Sequence, residues 1–200
     1  RANNFNLNTA YLPESIDINH FNFVKEKNDF FNKSPRAIWS GQSVKADEVS
    51  ELFPKLKDRN IPLTIISDKQ TNMPGLYNYI PWSYYTFPSN IVKGDFCISP
   101  RRIDNTYDLG HSHFKIGVFM AQGVPAIASP LPSYKEVIGK TGGGRICKSN
   151  LEWEKTLDEV VTTPEVLWEW SQAAREGMKE YSTESIAKRY KEFFEKLLDE

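Results

Sequence analysis

Cysteine is nearly missing from this chain. Two in 200 residues, Cys97 and Cys147, provide neither a paired framework nor a C-x-x-C metal spacing. Cys97 lies in the apolar run Asp95–Ser99 and reads as a packed thiol, which favours a reducing, cytoplasmic compartment. No run of eighteen apolar residues exists, so no segment is suited to span a bilayer as a helix. The opening residues, RANNFNLN, lack the apolar stretch of a signal peptide. They also lack an initiator Met, which predicts a processed chain or one cut from something longer. Charge of one sign is not in excess: 25 Lys and Arg against 26 Asp and Glu leave a net charge of −1. With no basic block, nucleic acid is disfavoured as a partner. No internal repeat, low-complexity tract or G-x-S-x-G nucleophile elbow appears, so a hydrolase triad has no support.

What is present suits one self-sufficient domain, with 40% hydrophobic and 26% charged residues. Residues 1–35 are rich in Asn (Asn3, Asn4, Asn6, Asn8, Asn19, Asn22, Asn28, Asn32) and poor in helical periodicity. They read as a connecting segment with a short strand near Tyr11–Leu12. From residue 36 to 200 the punctuation is regular. Short apolar runs at 37–40, 62–67, 77–80, 95–99, 124–129 and 145–147 predict six strands. Periodic runs at 46–59, 83–92, 113–122, 134–138, 151–161, 164–181 and 183–198 predict helices, with Pro54 kinking or dividing the first. The stripe Ile186, Tyr190, Phe193, Leu197, Leu198 predicts a core-facing last helix. Trp39, Trp82, Tyr84, Tyr85 and Phe87 are expected mostly in the core. Apolar strands alternating with helices predict an α/β fold: a Rossmann-like parallel sheet of about six strands, covered on both faces. Ligands of such sheets sit at the carboxyl ends of the strands, which selects the loops 41–45, 99–115 and 129–136.

The stretch Gly110–Glu136 is the most informative. A Gly-Ser loop leads directly into a helix with Lys115 in its first turn, an arrangement that suits an anion. Ser112 can cap that helix or bond a phosphate oxygen. His111 and His113 with Asp108 invite a metal. However, alternating residues reach one ion only from an extended segment, and no third strong ligand lies nearby. The expectation is therefore no metal, with one histidine bonding a phosphate or hydroxyl. Asp95, at a strand start, reads as structural.

Residues 115–129, KIGVFMAQGVPAIAS, resemble the Lys-x-x-Glu-Tyr-Met-Ala-x-Gly-x-Pro-Val-Ile-Ala-Ser stretch of GT-B glycosyltransferases. Ser133–Ile138 is similar to the family's Tyr-x-Glu-Val-Ile segment, and Leu151–Trp153 to the opening of its next helix. Tyr181-Ser182 resembles its late Tyr-Ser, and Tyr11–Asp17 the segment joining its two domains. The resemblance is to the C-terminal, donor-binding half alone. It implies a single GT-B half-domain transferring a sugar from a nucleotide-diphosphate sugar to an acceptor. It implies a connecting segment at 1–35 and a donor-binding domain at 36–200. By the same resemblance, Lys115 and His113 assist the departing diphosphate. Gly41, Gly110, Ser112 and Phe114 line the sugar and phosphates, while Ser133, Tyr134 and Glu136 lie beside the nucleotide. A sugar, glycan or lipid acceptor would be held by an N-terminal domain outside this chain, and without it the fragment is expected to be inactive. Peripheral membrane association of the longer protein is compatible with such acceptors.

The departures are specific. Many members carry two glutamates eight positions apart, the second on the ribose hydroxyls; here those positions are Gly110 and Val118. Glu136 or Asp108 is then left to cover that role. Gln42 replaces an Arg that often follows the first glycine, with Lys45 able to replace its charge. These departures keep open a non-catalytic nucleotide-sugar binding or assembly module, and an epimerase or hydrolase of nucleotide sugars. A flavodoxin-like regulator would need an acidic pocket at the strand ends, which the sequence does not offer.

Overall fold

Residues 10–31, 34–73 and 75–198 are described by a computed structural model. Residues 1–9, and with them the first four asparagines of the connecting segment, lie outside the described residues, as does Asn32.

The strands form where the apolar runs predict them: β1 (Ala37–Ser40), β2 (Leu63–Ser67), β3 (Asn78–Pro81), β4 (Phe96–Ser99), β5 (Ala126–Ala128) and β6 (Gly144–Ile146). All pair in parallel in the order β3-β2-β1-β4-β5-β6. Strand side chains alternate between two apolar layers. Ile38, Ile66, Cys97, Ala126 and Ala128 face one layer. Trp39, Ile65, Phe96, Ile98 and Ile127 face the other. The helices are α1 (Asn28–Phe31), α2 (Asp47–Ser50), α3 (Phe53–Asp58), α4 (Phe87–Ile91), α5 (Phe114–Met120), α6 (Pro132–Thr141), α7 (Asn150–Thr162) and α8 (Glu165–Gly177), which contribute to these layers, and α9 (Thr183–Leu198), which lies outside them.

Pro54 does divide its helix. It occupies the first turn of α3, where its missing N–H is not needed, and leaves α2 a single turn. Gly123 closes the turn after α5 at φ +75°, a conformation glycine adopts without a Cβ clash. The chain runs outward through β2 and β3, then returns past β1 to β4. The carboxyl ends of β1 and β4 therefore flank the crevice where such sheets place ligands.

Four expectations need correction. Tyr11–Leu12 form no strand; the connecting segment instead makes one parallel bridge, Ile16 to Ser182. The run 164–181 is not one helix, because α8 ends at Gly177 and continues as a 3-10 turn over Met178–Tyr181. Helix α9 is not core-facing: Ile186 is buried, whereas Tyr190, Phe194, Leu197 and Leu198 are exposed. Trp39 and Phe87 are core residues, but Trp82, Tyr84 and Tyr85 stand exposed just beyond the end of β3. In both latter cases the elements extend past the layers that could cover them.

The connecting segment is fastened by polar contacts as well as by Ile16, Phe21 and Phe30. Lys25, 2% exposed, donates to Asp95 Oδ1 at 2.6 Å and to the carbonyls of Gly94 and Val92. Asp95 also accepts from the Arg36 backbone N–H and guanidinium. Burial pushes the Asp95 carboxyl up, but the Arg36 hydrogen bonds and the Lys25 charge outweigh it and hold the group below its ordinary range.

Candidate anion site at the carboxyl edge of the sheet

The site begins at the end of β1. Gly41 lies against the Trp39 ring so closely that a Cβ there would sit 2.6 Å from Trp39 Cζ2. The loop beyond it is pinned to the end of β2: Asp68 accepts from Ser43 N–H at 2.7 Å and from its hydroxyl. That contact sets the 3-10 turn Ser43–Lys45 and with it the half-buried Lys45.

Lys115 enters from the first turn of α5. Its Nζ lies 4.6 Å from the centroid of the Trp39 ring, a cation–π contact. Among the described residues no carboxylate forms an ion pair with it. Burial, then the Arg101 charge, push its pKa down to about 7. Arg101 follows β4. Its N–H donates to Ser129 Oγ at 2.8 Å, while its guanidinium reaches Glu48 only at a long 3.4 Å. The Arg101 side chain is 9% exposed, and its Nε is buried without a partner. Burial, then the charges of Arg101 and Lys45, push the His111 pKa below its ordinary value. Lys45, Arg101 and Lys115 thus gather within electrostatic reach of one another, with Glu48 their one paired carboxylate among the described residues. Three cations gathered around one carboxylate give this crevice a positive potential, which a multiply charged anion would complement.

Beside it lies a cleft of about 490 Å³. Gly110, Ser112, Ser133 and Glu136 form one wall, and Tyr11 and Glu14 of the connecting segment the other. Ser112 Oγ accepts from the Phe114 N–H at 3.3 Å, and Ser133 Oγ donates to the His111 carbonyl at 2.6 Å. Glu136 pairs with Lys140 at 2.8 Å, and its charge, after burial, pushes the pKa of the Tyr11 hydroxyl up. A second cleft, of about 330 Å³, opens on the other side of Arg101 along Glu48, Ile103, Ser129, Lys148 and Trp153.

The structure therefore brings Gly110, Ser112, Ser133 and Glu136 to one cleft and Gly41 and Lys115 to the adjoining cationic crevice. Phe114 is partly exposed between α5 and solvent. Tyr134 is different: fully buried, with its hydroxyl 3.3 Å from Ser99 Oγ, it belongs to the core and offers the cleft no surface. His113 is also buried, at 2% exposure, and its ring packs edge-on against Tyr181 with centroids 4.8 Å apart. Burial pushes its pKa below the ordinary imidazole value, against the charges of Glu14 and Glu136. Asp108, His111 and His113 do not converge, and no group of three His, Cys, Asp or Glu among the described residues is placed to hold a metal. Val118 is 2% exposed within the core.

Sequence reasoning missed Arg101 and Glu48. The strand-end rule included Arg101 in its loop, but nothing local separates it from Arg102. The latter is half exposed and ties that loop to Asp47 and Glu51 on the surface.

No family model matches the sequence, and no curated protein matches it. Solved structures do. A glycosyltransferase from Rickettsia africae superposes with a TM-score of 0.71 at 14% identity, over 94% of this chain and 57% of that one. Anabaena Alr3699/HepE, solved with UDP and glucose, superposes with a TM-score of 0.64 at 11% identity, over 94% and 56%. The C-terminal domain of a group 1 glycosyl transferase (LpcC) from Francisella tularensis matches over 84% of this chain and 99% of that one, with a TM-score of 0.59 at 14% identity. At such identities the likeness is one of fold: the chain has the architecture of one GT-B half-domain. Of the longer structures it matches, it spans 38% to 57% of the chain.

Proposed function

We propose that this domain is the donor-binding half of a glycosyltransferase and that the crevice of Lys45, Arg101 and Lys115 receives the diphosphate of a nucleotide sugar. The observation that carries this is Lys115, a half-buried lysine whose ammonium lies against Trp39 and forms no ion pair with a carboxylate among the described residues. Burying a cation without its counter-ion is costly, and an incoming polyanion supplies that counter-ion. The structurally similar HepE was solved with UDP and glucose, which accords with this reading.

In this reading Gly41 keeps the crevice open to the phosphates and Ser112 adds a hydroxyl. The N–H groups that open α5 give a modest contribution, since that helix has only seven residues. The cleft past Arg101 takes the ribose and base, and the cleft along Ser133 and Glu136 takes the donor sugar. Sugar transfer leaves a nucleoside diphosphate behind. Fixed cations that stabilise its growing charge lower the barrier without a metal. The acceptor, a sugar, glycan or lipid, would be held by a further domain joined through residues 1–35. Peripheral membrane association of the longer protein fits a lipid acceptor.

Titration calorimetry with UDP tests the reading. Lys115→Ala should weaken binding about tenfold to a hundredfold, the value of one charge-assisted contact of roughly 1.5–3 kcal/mol. Added salt should weaken the wild-type affinity as well. Equal affinity in wild type and variant, or no binding by either at millimolar UDP, sinks the proposal.

A second reading, a non-catalytic nucleotide-sugar binding module, is favoured by buried Val118, where the resemblance leads one to expect a ribose-binding carboxylate. Donor binding with no transfer or sugar release by the full-length chain would select it.

A further inference from the structure

Glu48 is a carboxylate set among cations. It comes from α2, its side chain is 15% exposed, and its charge reaches both Lys115 and His111. Asp47 and Glu51, beside it on the same stretch of chain, are exposed and hold Arg102 at 3.1 and 2.8 Å. Glu48 instead pairs inward. Its partner is Arg101, and the two share the wall of the 330 Å³ cleft with Ser129 and Trp153.

That inward pair is incomplete on both sides. Both Glu48 oxygens lie 3.4 Å from the same nitrogen, Arg101 Nη1. A fork-to-fork pair would engage two nitrogens, at about 2.7–2.9 Å. One distant nitrogen leaves most of the acceptor capacity of the carboxylate unused. Arg101 in turn has a buried side chain whose Nε lacks a partner, so its guanidinium gains by turning toward a ligand oxygen. The wall of the cleft therefore carries spare acceptors beside a spare donor. A phosphate would suit Arg101 but be repelled by Glu48, and an ammonium would do the reverse. A hydroxyl donates and accepts at once, and two hydroxyls on adjacent carbons match the two oxygens of a carboxylate.

We propose that Glu48 is a specificity-determining residue for the ribose: its carboxylate accepts hydrogen bonds from the 2′- and 3′-hydroxyls of the nucleotide whose diphosphate lies in the adjoining crevice. The cleft past Arg101 is thereby selective for ribonucleotides over deoxyribonucleotides. Glu51, committed to Arg102 at the outer rim, takes no part. Glu136, in the other cleft and paired with Lys140, is left to the donor sugar. The proposal rests on the anion-site reading above.

Calorimetry of this chain with UDP, 2′-deoxy-UDP and 3′-deoxy-UDP tests it. Wild type should bind UDP about tenfold or more tightly than either deoxy analogue, the scale of a hydrogen bond to a charged group. In Glu48→Ala that preference should shrink to within about twofold, while loss of the negative charge tightens the binding of all three nucleotides. The readout is the ratio, which a merely structural role for Glu48 would not move. Glu51→Ala makes the same charge change three positions along and should keep the preference. Urea unfolding checks that each variant folds; Glu48→Gln, which keeps the shape of the side chain, should also reduce the preference and serves if Glu48→Ala does not fold. UDP binding by wild type without preference, a preference undiminished in the Glu48 variants, or one lost equally in Glu51→Ala overturns the proposal and leaves the anion site intact. Absence of UDP binding by wild type overturns both.

Discussion

Lys115 stands with its ammonium against Trp39 and its pKa pushed down to about 7 by burial, then by Arg101. A bound diphosphate would draw that value back toward the ordinary lysine range. Binding above about pH 7 must then take up a proton. The sign follows: UDP affinity should fall as pH rises above about 7 and level off below it, where the ammonium is already formed in the empty site. Calorimetry in two buffers of different ionisation enthalpy should show the uptake in wild type and its loss in Lys115→Ala. A pH-independent affinity between 6.5 and 9 would remove the ammonium from the account, a range set by the window of roughly 7 to 10.5 in which an unpaired lysine changes charge. At this scale the sequence placed Gly41 and Ser112 in loops beyond strand ends and Lys115 and Glu136 near the openings of α5 and α6, and the structure keeps all four at the carboxyl edge of the sheet. The sequence was not legible for His113 and Tyr134, whose short-range pattern is that of any loop-to-helix junction. Their side chains are turned inward by Tyr181 and Ser99, residues 68 and 35 positions away (181 − 113 and 134 − 99).

Among the elements, the connecting segment depends most on one residue. Asp95 neutralises Lys25 and orients Arg36, and thereby ties residues 21–30 to the start of β4. Asp95→Ala would leave the Lys25 ammonium buried with only two carbonyls. We expect a loss of about 3 kcal/mol or more in urea unfolding, since breaking a buried pair costs more than the pair contributes. Because the Asp95 carboxyl is held below its ordinary range, its contribution is fully present above that range. It is lost as pH falls through the lowered folded value. A variant of unchanged stability would show that the segment is held by Ile16, Phe21 and Phe30 alone. Element types were well read from periodicity, and even the break at Pro54 followed from its missing N–H. Helix α9 was misread because amphipathicity specifies that a face is apolar, not that this chain supplies its cover.

Across the whole molecule, the carboxyl edge of the sheet and α9 leave apolar side chains in solvent: Trp82, Tyr84 and Tyr85 at one place, Tyr190, Phe194 and Leu197 at another. Substituting these should barely affect the stability of this chain. Phe194→Ser, at 55% exposure, should change urea unfolding by less than about 0.5 kcal/mol, the range of ordinary surface substitutions. A loss above that would mean α9 is covered in solution. Small effects here with large ones at Asp95 would mark where the domain's own stability ends.

The sequence by itself determined the alternation of strand and helix, the double-sided burial of the sheet, and the three loops at its carboxyl edge. Each follows from local periodicity and from turn residues that act over a few positions. Only the tertiary structure decided which loop side chains face the crevice. Arg101 goes inward to Glu48 and Arg102 outward to Asp47 and Glu51, although the two are neighbours of the same charge. Their partners lie more than fifty residues earlier in the chain. Such a choice depends on how α2 packs beside the loop after β4, a contact between distant segments that local pattern does not encode.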